Sequence, residues 1–144
     1  MLFRSVQFHV NVPDSVHYAC RLLRKALRKG VRLAVTGPAA TLAELDRALW
    51  VFEADEFLPH VQLHGDKPTP AQARAPVWLV ENAIHGTAMP VLVNLGAPVT
   101  AGFDAYTRVI EIVSTNEEDR SAGRQRWRDY LARGCAPLKH EVAA

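Results

Sequence analysis

Cysteine and long apolar runs are both scarce in this sequence. The two cysteines, Cys20 and Cys135, belong to no metal or redox spacing such as C-x-x-C, so reduced and inert thiols are expected. The apolar runs at 77–80 (VWLV) and 91–95 (VLVNL) are far shorter than the roughly 20 residues that cross a bilayer. The amino terminus alternates in hydrophobicity and lacks a signal-peptide pattern, which predicts a cytoplasmic protein without a membrane segment.

Motifs for phosphate binding, metal binding and catalysis are also lacking. The GPAAT turn at 37–41 contains one glycine and matches neither G-x-x-x-x-G-K-[ST] nor G-x-G-x-x-G. His60 and His64 are four residues apart with no third ligand nearby in sequence, and His60 fits a structural FLPH turn better than a metal site. No G-x-S-x-G motif or paired carboxylates occur, so no catalytic residue, cofactor or metal ion is expected.

Charge is distributed unevenly along the 144 residues, although the net charge is only +2. Residues 1–35 contain seven Lys and Arg against Asp14 alone, whereas residues 36–119 contain four basic and twelve acidic side chains. Residues 120–144 are basic again, with six basic against two acidic. This distribution favours an anionic partner at a local patch over a surface that wraps nucleic acid, so no direct specific nucleic-acid binding is expected.

Hydrophobic periodicity predicts strands alternating with helices. Strands are indicated at 6–12, 31–36, 77–80 and 91–95, with a last strand at 109–114. Helices are indicated at 16–29, 41–50, 103–107 and 117–133, with Ser15, a Thr41–Glu44 capping box and a Ser114 or Thr115 capping box at three of their starts. The pattern predicts one domain over 1–144 with a three-layer α/β/α, mostly parallel, Rossmann-like sheet without a phosphate-binding loop.

The last predicted helix has an unusual basic stripe. Arg120, Arg124 and Arg128 recur every four residues, with Trp127 beside them and Arg126 nearby. Like charges at this spacing destabilise a helix by ~0.2–0.5 kcal/mol per pair, and Glu117 is placed to compensate only Arg120. Guanidinium groups bind carboxylates with forked donors, and an indole can form an apolar wall. The stripe therefore indicates an anionic partner, with a solvated helix face as the alternative.

A second unusual segment surrounds the end of the helix at 41–50. Six large apolar residues lie around three acidic ones in what reads as a surface loop: Trp50, Val51, Phe52, Phe57, Leu58 and Pro59 around Glu53, Asp55 and Glu56. Aromatic groups rimmed by charge are typical of a protein–protein contact. Core packing of Trp50 is the alternative.

These features together resemble the chi subunit family of bacterial DNA polymerase III. The resemblance rests on A-L-W at 48–50 followed by F-L-P-H at 57–60, a proline-rich connector, and the closing R-Q-R-W-R-D-Y-L-A-R-G at 124–134. It implies a non-catalytic subunit that links the clamp loader, through the psi subunit, to single-stranded DNA-binding protein. The tail LKHEVAA at 138–144 lacks obvious family residues.

The resemblance also implies two sets of site residues. The set expected to bind the acidic carboxy-terminal tail of single-stranded DNA-binding protein, which ends in Pro-Phe, comprises Arg120, Arg124, Trp127, Arg128 and Val113. The set expected to bind psi comprises Trp50, Phe57, Phe52 and Pro59. The residues leave two alternatives open: a small nucleotide- or phosphate-binding α/β protein or enzyme, and direct single-stranded DNA binding by the Arg and Trp face.

Overall fold

A computed structural model describes residues 5–52, 58–63, 69–81, 90–99 and 102–142. These residues form a seven-stranded sheet in which every neighbouring pair is parallel. The strands are β1 (Ser5–Val12), β2 (Leu33–Thr36), β3 (Val61–Leu63), β4 (Val77–Val80), β5 (Val91–Asn94), β6 (Arg108–Ser114) and β7 (Leu138–Glu141), in the order β3-β4-β2-β5-β6-β1-β7. The helices are α1 (Ser15–Arg28), α2 (Ala39–Val51), α3 (Pro70–Ala73) and α4 (Glu117–Ala132).

The sheet separates two cores, which confirms the predicted three-layer α/β fold. Alternate residues of each buried strand face opposite sides, so Leu33 and Val35 of β2 join one core while Ala34 joins the other. Helices α1 and α2 cover the first core, and α4 covers the second through Tyr130 and Trp127. The strands β2 and β4 are buried along their whole length, as expected for parallel strands covered on both faces.

The helix starts differ from the predicted caps. The side chain of Asp14, not Ser15, caps α1 by accepting a hydrogen bond from the His17 backbone. Helix α2 begins at Ala39 after Pro38 with no side-chain cap, so the Thr41–Glu44 capping box is wrong. Asn116 caps α4 by accepting from the Glu118 and Asp119 backbones, and Ser114 instead donates to Asp119. At the starts of α1 and α4, several Ser, Thr, Asn or Asp residues compete for the cap position, and the local sequence does not rank them.

Three short elements were not predicted, and a fourth is shorter than expected. Strand β3 lies in a segment for which no element was predicted, and helix α3 lies in the proline-rich connector. The 103–107 helix is a 3-10 turn over Phe103–Ala105. The prediction that β6 is the last strand is wrong, because β7 follows α4 and pairs in parallel with β1. All four residues of β7 are exposed, so no buried hydrophobic pattern marks it in the sequence.

None of the helices in the described ranges is long and apolar enough to cross a membrane.

Two histidines face each other where β7 joins the sheet. His9 and His140 are direct partners in the β1–β7 ladder, and their ring centroids are 5.1 Å apart. His9 Nδ1 also forms a hydrogen bond with the Tyr18 hydroxyl of α1. Burial lowers the pKa of His9 below its ordinary value of 6.5, and the nearby charges of His140 and Arg108 lower it further. A proton on His9 is therefore less favourable in the folded chain than in the unfolded chain.

We expect the free energy of unfolding to fall as the pH is lowered from about 7.5 to about 5, because the unfolded chain takes up more protons at His9 over that range. Urea denaturation across this range measures the effect. Substitution His140→Gln removes one neighbouring positive charge and should flatten the dependence, while His17→Gln, at an exposed position on α1, should leave it unchanged. Identical profiles for the wild type and His140→Gln would contradict the role of the histidine pair.

Candidate functional site

A buried hydrogen-bonded cluster fixes α4 against the sheet. Glu111 of β6 is fully buried, and its carboxylate accepts hydrogen bonds from Arg126 at 2.7 Å and from the Tyr130 hydroxyl at 2.6 Å. Asn94 of β5 donates to the same carboxylate at 3.0 Å. Burial, reinforced by Glu111, raises the pKa of Tyr130, so its hydroxyl stays protonated and donates. Two residues of α4 are thus joined to two adjacent strands.

A cleft of about 760 Å³ opens between α4 and the sheet at the β1 and β7 edge. It contains all five residues assigned to tail-peptide binding, together with three positions of β1, two of β7 and one glycine of α4. Its lining residues are Phe8, Val10, Asn11, Val113, Arg120, Gly123, Arg124, Trp127, Arg128, Lys139 and Glu141. The five predicted residues, which are dispersed in the sequence along β6 and α4, therefore line one concave site.

The floor of the cleft is apolar because α4 approaches β6 closely at Gly123. A Cβ atom added at Gly123 would lie 2.9 Å from Val113 Cγ2, closer than side chains tolerate. Val113 and Phe8 are buried beneath this point, and the Trp127 ring packs against Phe8 with centroids 5.0 Å apart. The floor can therefore accept an apolar or aromatic group of a ligand.

The rim of the cleft is mainly cationic. Arg120, Arg124 and Arg128 project from α4 and Lys139 from β7, against one lining acid, Glu141. The prediction that only Arg120 has a compensating acid is wrong, because Glu117 lies 3.2 Å from Arg124 as well as 3.9 Å from Arg120. Glu117 is 75% exposed, and exposed pairs contribute about 0–1 kcal/mol, so an incoming carboxylate can replace it. Arg128 bonds the neutral Gln125.

Several site residues were missed or misjudged in the sequence. Arg126 was grouped with the exposed stripe but is buried, and the charged Glu111 within the apolar run at 109–113 is the signal that could have revealed their pairing. Lys139 and Glu141 of β7 were not predicted as site residues, and they line the cleft wall opposite α4. Because β7 was absent from the predicted sheet, no sequence signal placed these two residues at the cleft.

The second predicted surface lies at the end of α2. Trp50 is 59% exposed and Val51 is 78% exposed, so core packing of Trp50 is ruled out. Phe52 is half-buried, with its ring against His17 and the Arg24 guanidinium, and Pro59 is also half-buried. Phe57 lies outside the described residues, as do the acidic residues 53–56. Trp50 and Val51 therefore form an exposed apolar pair on an ordered helix.

His60 holds this region in place, in line with its predicted structural role. Its side chain is buried, with Nδ1 2.7 Å from the Leu58 carbonyl oxygen and Nε2 3.0 Å from Asp46 Oδ1 of α2. The Trp50 ring packs on His60 with centroids 5.0 Å apart. His64 lies outside the described residues. Within the described ranges, no cluster of three His, Cys, Asp or Glu side chains could hold a metal ion.

The GPAAT turn is packed against the protein's own chain. A Cβ added at Gly37 would lie 3.1 Å from Leu95 Cβ, so the glycine permits a close approach between the ends of β2 and β5. This contact explains Gly37 without a bound phosphate.

The sequence of this chain matches a known protein family. Residues 3–137 match the family model described as "DNA polymerase III chi subunit, HolC". The chain belongs to this family. The chi-family resemblance seen in the sequence is thus confirmed, and the protein is related to subunits of a DNA replication enzyme.

Named members of the chi family are similar over most of the chain. The DNA polymerase III subunit chi of Pseudomonas aeruginosa is 32% identical over 125 residues, which cover 86% of this chain and 84% of the relative. The subunit chi of Haemophilus influenzae is 25% identical over 120 residues, covering 81% and 79%.

A solved structure outside the chi family shares the fold. The C-terminal domain of S. cerevisiae Dbp5, solved bound to Gle1 and IP6, matches with a TM-score of 0.57 and 12% identity, covering 96% of this chain and 90% of that chain. At this identity the match describes the chain's fold and carries no information on its ligands.

Proposed function

We propose that this protein is a non-catalytic adaptor of the replication machinery with two binding surfaces. The cleft beneath α4 binds the acidic carboxy-terminal tail of single-stranded DNA-binding protein, and the surface around Trp50 binds the psi subunit of the clamp loader. The observation that carries the proposal is the cleft itself, in which an apolar floor at Val113 and Trp127 lies directly beside Arg120, Arg124 and Arg128.

The chemistry of the cleft matches a peptide that ends in an aromatic residue. A terminal phenylalanine ring fits the floor formed by Phe8, Val113 and Trp127, while its carboxylate reaches the guanidinium of Arg124. Acidic residues that precede the terminus would pair with Arg120 and Arg128. Because Arg120 and Arg124 are more than half exposed, salt screens these pairs, and binding should be weak and readily reversible.

Two separate surfaces on one small protein would raise the local concentration of each partner near the other. The Trp50 surface lies at the end of α2, which covers the first core, whereas the cleft lies beneath α4 on the opposite face of the sheet. Both partners can therefore bind together without overlap. An adaptor of this kind gains avidity without any reaction of its own.

Substitution Arg124→Glu should abolish binding of a synthetic acidic peptide ending in Pro-Phe, because a carboxylate would replace the central guanidinium of the rim. Isothermal titration calorimetry at low salt measures the affinity. Glu117→Gln should instead strengthen binding, since it removes the internal carboxylate that contacts Arg124. The same peptide with a carboxy-terminal amide should bind more weakly to the wild type.

Arg47→Glu is the matched control, because Arg47 is exposed on α2 and the substitution makes the same change in net charge. Normal peptide affinity in Arg124→Glu, or an equal loss in Arg47→Glu, would disprove the assignment of the cleft.

A further inference from the structure

A second basic surface lies on α1, on the opposite face of the sheet from the cleft beneath α4. Residues 15–43 contain six Lys and Arg and no Asp or Glu. Arg21, Lys25 and Lys29 of this set are exposed at four-residue intervals. Among the described residues, none of these three takes part in an ion pair. The row thus lacks the internal carboxylate that α4 has in Glu117.

The geometry of the row suits a repeating anion. At 1.5 Å per residue, the three side chains are about 6 Å apart and extend over about 12 Å of helix. Like charges at this spacing destabilise the helix, and a polyanion would relieve that repulsion. A single carboxylate could neutralise only part of the row.

A groove continues the basic surface beyond the end of α1. Lys29 precedes Gly30, which lines a groove of about 430 Å³ together with Arg32 and the exposed Arg108. Arg32 also donates to the carbonyl oxygens of Ala73 and Ala75, which holds it at the groove wall. The groove extends the cationic path from α1 to the start of β6.

We infer that α1 and this groove bind the phosphodiester backbone of single-stranded DNA without reading its sequence. The exposed positions of α1 are His17, Arg21, Lys25 and Arg28, and contacts from Arg and Lys to phosphate groups carry no sequence information. A membrane surface is less suitable, because the apolar residues of α1 face the core instead of lying beside the cations. DNA is also the polymer on which the enzyme named by this family works.

The location of α1 is compatible with the adaptor proposal. Helix α1 covers the first core, and the cleft beneath α4 lies over the second, so the sheet separates the two surfaces. A strand of DNA on α1 would not block a peptide in the cleft. The backbone contact would add to the tethering of the protein at coated single strands.

Fluorescence anisotropy with labelled oligo(dT) at rising salt tests the inference on the full chain. The wild type should bind at low salt with an affinity that falls steeply as salt rises. The double variant Lys25→Gln/Lys29→Gln should bind several-fold more weakly, with a salt slope smaller by about 1.4, because each lost phosphate contact on a single strand lowers the slope by ~0.7. The matched double variant Arg47→Gln/Arg133→Gln, which loses two exposed charges on α2 and at the end of α4, should bind like the wild type.

Any of four results would overturn the inference. Absence of oligonucleotide binding by the wild type at low salt, or equal weakening in both double variants, would show that α1 offers no specific surface. Loss of binding in Arg124→Glu with none in Lys25→Gln/Lys29→Gln would place the DNA contact on α4. Tighter binding to phosphatidylserine vesicles or to poly-glutamate than to oligo(dT) would identify a different class of partner.

Discussion

Substitution Arg126→Ala should lower the free energy of unfolding by about 3–5 kcal/mol, because it leaves the fully buried Glu111 without its cation. Tyr130 and Asn94 would still donate to the carboxylate, but neither supplies a positive charge. Urea denaturation followed by circular dichroism measures the loss. Since Arg126 and Tyr130 join α4 to the sheet, we also expect the cleft to bind its peptide more weakly in this variant.

Two further variants make this prediction specific. Arg128→Ala, only two residues away, removes an exposed arginine bonded to Gln125 and should change stability by no more than ~0.5 kcal/mol. The double variant Arg126→Met/Glu111→Gln removes both charges and should be more stable than Arg126→Met alone, because no unpaired ion remains buried. A stability of Arg126→Ala equal to that of Arg128→Ala would contradict the buried pairing.

Substitution Trp50→Ala should weaken binding to the psi subunit by about 30-fold or more, since an exposed tryptophan at the centre of an interface commonly contributes at least ~2 kcal/mol. The packing of the indole on the buried His60 ring holds Trp50 in a defined position before a partner arrives, which reduces the entropy lost on binding. Surface plasmon resonance with immobilised psi measures the change, and peptide binding in the cleft should remain normal.

Leu131→Ala serves as the control for this experiment. Leu131 is an apolar residue on α4 that is 51% exposed, similar to Trp50, and it lies outside the proposed psi surface. We expect it to bind psi like the wild type. If Leu131→Ala lost psi binding and Trp50→Ala kept it, the interface would have to be moved to α4.

The order of the longer strands and helices could be predicted because each of them carries its own pattern. The alternation of Phe8 and Val10 with polar neighbours indicates β1, and the apolar runs at 77–80 and 91–94 indicate buried parallel strands. Strand β7 could not be predicted, because all of its residues are exposed and no apolar face marks an edge strand that pairs with β1. Because β7 was not predicted, Lys139 and Glu141 were not assigned to the candidate site.

The sequence by itself determined the α/β class, the chi-family resemblance and the basic stripe of α4, since all three depend on residue types and on spacing along the chain. Only the tertiary structure decided that Arg126 turns inward to Glu111 while Arg124 faces a cleft, although the two residues are nearly adjacent. Neighbouring side chains on a helix lie about 100° apart around its axis. The position of Glu111 beneath α4, and not the spacing in the sequence, therefore determines that Arg126 is buried while Arg124 can contact a ligand.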